Sequence, residues 1–153
     1  MIIALACDHA GYPLKKLLQP WLEKRGHQVI DLGADSDAVP VDYPDYARAA
    51  AEAVKSGRVE RAVIVCGSGV GASVAANKVP GVRAGLCHDT FSARQGVEDD
   101  DVNALCLGAR VIGTELAYDV LSAWLAARFT GLERHARRRD KVTAIERAYS
   151  KEA

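Results

Sequence analysis

The sequence lacks three features that would place it in a special class of protein. No stretch approaches the roughly 18 consecutive apolar residues of a membrane-spanning helix. The apolar start has no basic segment and reaches Asp8 before it could form the core of a signal peptide. Neither sign of charge is in excess, since the 20 Lys and Arg residues equal the Asp and Glu residues in number, which are also 20. We therefore expect a soluble, cytoplasmic protein without nucleic-acid or membrane partners.

Cysteine is scarce, and its spacing gives no sign of a metal site or of disulfide bonds. The four cysteines lie far apart without C-x-x-C spacing, at Cys7, Cys66, Cys87 and Cys106. A chain of 153 residues buries about two thirds of its unfolded surface on folding and needs neither a structural metal nor disulfide bonds for stability. No repeat or boundary interrupts it, so we predict a single domain over residues 1–153.

Apolar runs typical of buried strands alternate with helical patterns along the chain. The predicted strands are residues 2–7, 29–33, 62–66, 82–86 and 104–107. The predicted helices are residues 14–22, 45–56, 72–77, 90–97, 114–128 and 134–145. This alternation predicts an α/β fold of the doubly wound, Rossmann-like class, with a five-stranded parallel sheet and helices on both faces. The last helix forms a C-terminal helical extension.

In open parallel sheets, ligands bind at the carboxyl ends of the strands, and four groups of residues lie there: 7–9, 66–71, 88–89 and 108–110. Among them, Gly67, Gly69 and Gly71 alternate between a buried strand and a helix, so the loop can present its amides to a phosphate or an oxyanion. A tight turn that needs positive φ is the competing explanation. The loop also fits a loose dinucleotide fingerprint, but that motif belongs after the first strand and this loop follows the third.

Cys66 immediately precedes this glycine loop. A helix N-terminus favours the thiolate and makes the sulfur a usable base or nucleophile. Cysteine at a strand end is also a common small core residue, and we apply that interpretation to the other three cysteines. For Cys66, the position beside the loop favours a chemical role.

Other polar residues suit a phosphorylated polyol without being specific alone. Asp8 and His9 could orient a hydroxyl and bind an anion, or could simply form a turn. Tyr43 lies in a segment typical of turns. Arg134 and Arg138 are four residues apart and share a helix face, which suits a phosphate, although a basic run is also typical of a solvated face. Consecutive side chains diverge in the acidic run 98–101, so we predict no metal site there.

Taken together, these motifs resemble the ribose-5-phosphate isomerase B and galactose-6-phosphate isomerase family. The matching segments are, in order, Cys-Asp-His-Ala-Gly at 7–11, Val-Asp-Tyr-Pro at 41–44, Cys-Gly-Ser-Gly-Val-Gly at 66–71, Ala-Ala-Asn-Lys at 75–78, Leu-Gly-Ala-Arg at 107–110 and Arg-His at 134–135. They span nearly the whole chain, and the resemblance depends on the set rather than on any single motif.

The resemblance implies an isomerase that interconverts an aldose phosphate and its ketose through a cis-enediolate, without a metal or cofactor. Cys66 matches the base that moves a proton between carbons 1 and 2. Ser68 would assist proton transfer at the oxygens, and the amides of Gly67, Gly69 and Gly71 would hold the enediolate charge. Abstraction of so weakly acidic a proton does require a positioned base and fixed donors.

The resemblance also implies how the substrate and the subunits are held. The matching positions are Asp8, His9 and Tyr43 for substrate contacts, and Arg134, Arg138, His135 and Arg110 for the phosphate. The family builds its sites between two subunits. We therefore expect a homodimer or a dimer of dimers with a small phosphorylated sugar at the subunit interface.

One position departs from the family pattern. Ribose-5-phosphate isomerases of the family carry His-Asn or His-Asp before the strand that ends in Leu-Gly-Ala-Arg, and that histidine is assigned to opening the furanose ring. This chain has Asp99 and Asp100 there. Either Asp99 acts as the catalytic acid–base group, with Asp100 at the substrate, or the natural substrate has no ring to open.

Our first expectation is the isomerisation of ribose 5-phosphate to ribulose 5-phosphate. The alternative is a nonstandard substrate such as erythrose or erythrulose 4-phosphate, which cannot close a furanose because the terminal oxygen carries the phosphate. A module that binds a sugar phosphate or a nucleotide without catalysis is the alternative from a different class.

Overall fold

The computed structural model describes residues 1–150 and contains a five-stranded sheet in which every neighbouring pair is parallel. The strands are β1 (Ile2–Cys7), β2 (Gln28–Asp31), β3 (Arg61–Cys66), β4 (Ala84–Leu86) and β5 (Ala104–Gly108). Their order across the sheet is β2-β1-β3-β5-β4. The predicted doubly wound fold class is therefore confirmed. The last residues of the predicted domain, 151–153, lie outside the described residues.

Helices cover both faces of the sheet, and the two faces differ in side-chain size. The helices are α1 (Tyr12–Lys24), α2 (Tyr43–Lys55), α3 (Val70–Ala76), α4 (Thr90–Asp100), α5 (Thr114–Ala126) and α6 (Glu133–Tyr149). On β1, Ile3 and Leu5 pack with side chains of α1, α4 and α5. Ala4 and Ala6 point to the other face and pack with the alanine-rich α2 and with α3. Because successive residues alternate between two covered faces, the strand is apolar throughout.

The strand order reverses between β1 and β3, and the carboxyl ends of these two strands lie side by side. In doubly wound folds a ligand crevice forms at such a reversal. Gly11, directly before α1, leaves no space for a side chain because the Val65 carbonyl lies against it. The start of α1 is thereby brought close to the end of β3, beside Cys66.

The helix α6 extends the fold through contacts with α4. It buries His135, but farther along the helix Val142, Ile145 and Tyr149 are 55%, 61% and 84% exposed. The helix also runs beyond its predicted end at residue 145. Within residues 1–150, no helix combines the length and the apolar character needed to cross a membrane.

Candidate active site

The Cys66 sulfur lies beneath the glycine loop at the end of β3. The Gly69 N–H donates to Cys66 Sγ over 3.0 Å, so the sulfur is held by the backbone of the loop. Gly69 has φ of +79° and is the N-cap of α3. A side chain there would also fall 2.5 Å from Leu86 and 2.9 Å from the backbone of Leu107. A glycine is therefore required to bring this amide to the sulfur.

Other amides of the same loop are available to a ligand. Within residues 1–150, the backbone N–H groups of Ser68 and Gly71 have no hydrogen-bond acceptor. The Ser68 hydroxyl is exposed and accepts from the Val70 N–H over 3.2 Å. The loop thus combines a thiol, a hydroxyl and unpaired amide donors within a few residues.

Asp8 and His9 face this loop from the end of β1. The Asp8 side chain is 7% exposed, and its Oδ1 accepts from the Gly11 N–H over 2.9 Å, which fixes the carboxylate at the start of α1. His9 Nδ1 lies 3.1 Å from the amide nitrogen and 3.2 Å from the carbonyl oxygen of Val41. With a proton Nδ1 can donate to the Val41 carbonyl, and without one it can accept from the Val41 N–H, so Nε2 is left for a ligand.

Tyr43 and Arg110 approach the loop from two further elements. The Tyr43 ring packs on Gly71 so closely that a side chain on the glycine would fall 2.7 Å from the ring carbon Cζ. The Arg110 N–H donates to the Gly67 carbonyl over 3.0 Å, and its side chain lies over Gly67. Gly69 and Gly71 are therefore restricted to glycine by different neighbours. The Leu107 backbone excludes a side chain at Gly69, and the Tyr43 ring excludes one at Gly71.

A cavity of about 370 Å³ lies among these elements. It brings together the following predicted site residues: Asp8, His9, Tyr43, Cys66, Gly67, Ser68, Gly71 and Arg110. Gly69 is buried within the loop and does not line the cavity. The sequence did not single out the backbone of Val41, which holds His9, because a contact across 32 residues leaves no local pattern.

The remaining predicted site residues lie elsewhere in the chain. Asp99 Oδ1, on α4, is 3.4 Å from Nδ1 of the buried His135 on α6, and the Thr130 hydroxyl is 2.7 Å from the same nitrogen. Gln95 donates to the other Asp99 oxygen over 2.9 Å. Asp100 is exposed in a separate groove between α6 and residues 77–84. None of these side chains lines the Cys66 cavity of its own chain.

Arg134 and Arg138 are exposed on α6. In residues 1–150 neither guanidinium is paired with a carboxylate, in contrast to their neighbours Arg137 and Arg139, which pair with Glu133 and Asp140. The two arginines are therefore free to bind an anion from outside this chain.

The other three thiols have surroundings unlike those of Cys66. Burial raises the pKa of Cys7 to about 11 and also raises the pKa of Cys87 and of Cys106. Cys7 and Cys106 have no exposed surface. These thiols behave as core residues, as predicted from their positions. Within residues 1–150, no group of three or more His, Cys, Asp or Glu side chains is placed to hold a metal ion.

A doubly wound sheet with a thiol and backbone amides at its switch point is a scaffold suited to a small-molecule enzyme. A family model described as "Ribose/Galactose Isomerase" matches residues 3–142, and the chain belongs to this family. The predicted family resemblance is thereby confirmed.

Several relatives are similar over nearly their full length. Ribose-5-phosphate isomerase B of Escherichia coli is 44% identical over 144 residues, covering 94% of this chain and 95% of the relative. D-erythrulose-4-phosphate isomerase of Pectobacterium atrosepticum is 41% identical over 129 residues, covering 84% of this chain and 85% of the relative. The structure of Clostridium thermocellum ribose-5-phosphate isomerase B superposes with a TM-score of 0.95 at 48% identity, covering 98% of this chain and all of that one.

Proposed function

We propose that this protein is an aldose–ketose isomerase that converts ribose 5-phosphate to ribulose 5-phosphate. The observation that carries the proposal is the position of Cys66 at a cavity, beneath a loop whose Ser68 and Gly71 amides have no hydrogen-bond acceptor among residues 1–150. Similarity to ribose-5-phosphate isomerase B of Escherichia coli supports the choice of substrate.

In the proposed reaction, the Cys66 thiolate removes the proton from carbon 2 of the open-chain aldose and the carbonyl electrons move onto the oxygen of carbon 1. The resulting cis-enediolate is stabilised by the amides of Ser68 and Gly71. Ser68 passes a proton between the two oxygens, and Cys66 returns its proton to carbon 1 to give the ketose. Asp8, His9 and Tyr43 orient the sugar hydroxyls, which holds the carbon chain in the reactive geometry.

We propose that Arg134 and Arg138 bind the phosphate in the site of a second copy of this chain. They are exposed, lack acidic partners in the described residues and do not line the Cys66 cavity. His9 and Arg110 also border an adjoining open cavity of about 560 Å³, which leaves space for groups from outside the chain. The exposed apolar residues of α6 support a homodimer or a dimer of dimers. The single domain over residues 1–153 and its place in the cytoplasm stay predictions.

Asp99 favours a second candidate substrate of four carbons, erythrose or erythrulose 4-phosphate. Both of its carboxylate oxygens already have neighbours, His135 and Gln95. A carboxylate held in this way is poorly placed to act as the acid that opens a furanose ring. The Pectobacterium relative, named a D-erythrulose-4-phosphate isomerase, supports this candidate.

The test is a panel of four-, five- and six-carbon sugar phosphates, with the products followed by NMR. A far higher kcat/KM on ribose 5-phosphate than on erythrose 4-phosphate would end the tetrose proposal, and the reverse would end the pentose proposal. Binding without turnover of any sugar phosphate would contradict the isomerase itself and favour a silent binding module.

A further inference from the structure

His88 makes a contact with the backbone of β5 that the proposed reaction does not use. It follows β4 by two residues, and its Nε2 accepts the Gly108 N–H over 2.9 Å. Pairing between β4 and β5 stops at Leu86, opposite Cys106. The imidazole therefore supplies an acceptor to a buried amide that lies beyond the reach of the shorter strand.

Gly108 lies directly under the glycine loop of the candidate site. A side chain on Gly108 would fall 2.5 Å from the Ser68 carbonyl oxygen, and one on Gly69 would fall 3.1 Å from the Gly108 amide nitrogen. The Gly108 peptide is thus in close contact with the backbone that carries Ser68 and holds the Cys66 sulfur.

The residues that follow Gly108 are joined to the same loop by hydrogen bonds. The Ala109 N–H donates to the Cys66 carbonyl over 2.9 Å, and the Arg110 N–H donates to the Gly67 carbonyl over 3.0 Å. The direction of the Gly108 peptide therefore influences both the support of the Cys66 loop and the entry of Arg110 into the cavity.

We infer that His88 is a positioning residue of the candidate active site, which holds the Gly108 peptide and so fixes residues 108–110 against the Cys66 loop. The inference rests on the proposed function, because it concerns the efficiency of that site. His88 does not line the cavity, and it acts only through the backbone.

The contact depends on a neutral imidazole, because Nε2 can accept a hydrogen bond only while it carries no proton. Burial lowers the pKa of His88, and the Asp89 carboxylate acts in the opposite direction. Asp89 is itself engaged at the start of α4, where it accepts from the Ser92 N–H. Protonation of His88 in acid removes the acceptor and releases the Gly108 peptide.

The experiment compares His88→Ala, which removes the acceptor, with His88→Gln, whose amide oxygen can replace it. Loss of one hydrogen bond should lower kcat/KM on ribose 5-phosphate roughly tenfold in the alanine variant and reduce hydrogen-exchange protection of the Gly108 amide. The glutamine variant should stay within about threefold of the wild type and lose less activity in mild acid. His27→Ala is the matched control, since burial also lowers the pKa of His27 but this residue lies beside Met1 at the other end of the sheet.

Wild-type kcat/KM and wild-type Gly108 protection in His88→Ala would overturn the inference, and so would equal losses in the alanine and glutamine variants. If the alanine variant does not fold, the wild type decides the matter: Gly108 protection that stays unchanged from neutral pH to well below the usual titration range of histidine would overturn the inference. A wild type that isomerises no sugar phosphate on the panel would contradict the proposed function instead, and Gly108 exchange would still test the role of His88.

Discussion

At the scale of single residues, the four cysteines separate into two groups. Cys66 lines a cavity and receives the Gly69 N–H, whereas Cys7, Cys87 and Cys106 are buried and do not line it. Parallel strands explain why several site residues could be predicted, since Cys66 ends a strand, Asp8 and Arg110 follow strands, and the carboxyl ends of all three strands share one edge. The meeting of Asp99 with His135 could not be predicted, because it depends on how two helices pack.

Cysteine alkylation should distinguish these two groups. With iodoacetamide at neutral pH, Cys66 should be modified first, because the thiolate is the reactive form and a pKa of about 11 keeps Cys7 protonated. Burial raises the pKa of Cys87 and Cys106 as well, so they should also react slowly. Peptide mass spectrometry over time measures the order, and saturating sugar phosphate should protect Cys66. Earlier labelling of Cys7 would contradict this assignment.

Replacing the proposed base should greatly reduce turnover but not binding. Cys66→Ala should reduce kcat on the preferred sugar phosphate by roughly 10²–10⁴-fold, the usual contribution of a positioned acid–base group. Calorimetry should still detect the sugar phosphate, because the remaining contacts stay in place. Cys106→Ala removes a buried thiol from a neighbouring strand and serves as the control. Retained turnover in Cys66→Ala would exclude the thiol as the base.

At the scale of elements, the turn from β3 into α3 shows how far sequence reasoning reaches. The alternating glycines predict a turn with positive φ or a close backbone approach, and Gly69 has both features. The sequence does not reveal that Leu86 and the Leu107 backbone are the neighbours, because these come from other strands. Similarly, the predicted end of α6 at residue 145 was too early, since the exposed last turn carries little apolar periodicity.

A methyl group on Gly69 should therefore be more damaging than one on a glycine with the same backbone angle but open surroundings. Gly26 has φ of +82°, and no atom of residues 1–150 lies within 4 Å of the position of a side chain, so Gly26→Ala should lower the free energy of unfolding by about 1 kcal/mol. Gly69→Ala adds steric overlap and should lower it by about 2–4 kcal/mol. Urea denaturation measures both variants. Equal losses would show that the overlap is relieved easily.

At the scale of the whole molecule, the proposed site needs residues from two copies of the chain. Arg138→Ala should weaken the binding of phosphorylated substrates and leave the binding of nonphosphorylated sugars little changed. If Arg138 serves the neighbouring Cys66, mixing unfolded Cys66→Ala and Arg138→Ala chains and refolding them should restore about one quarter of wild-type activity. Half of the dimers would then be mixed, and each of these would have one intact site.

The control for this mixing experiment combines two variants of the same cavity. Cys66→Ala and Ser68→Ala chains should give no recovery, because each mixed site would still lack one of the two groups. Initial rates at subsaturating ribose 5-phosphate measure both mixtures. Recovery in the control, or none with Arg138→Ala, would contradict a site shared in this way.

Within one chain, the exposed arginines of α6 do not line the Cys66 cavity, and this arrangement has a consequence for when catalysis begins. Under the proposed function, a newly made chain that has folded alone would hold the sulfur and its amides but could not anchor a phosphate. Encounter with a second chain would then be the activating event. The specific activity should accordingly fall on extreme dilution, when the chains separate.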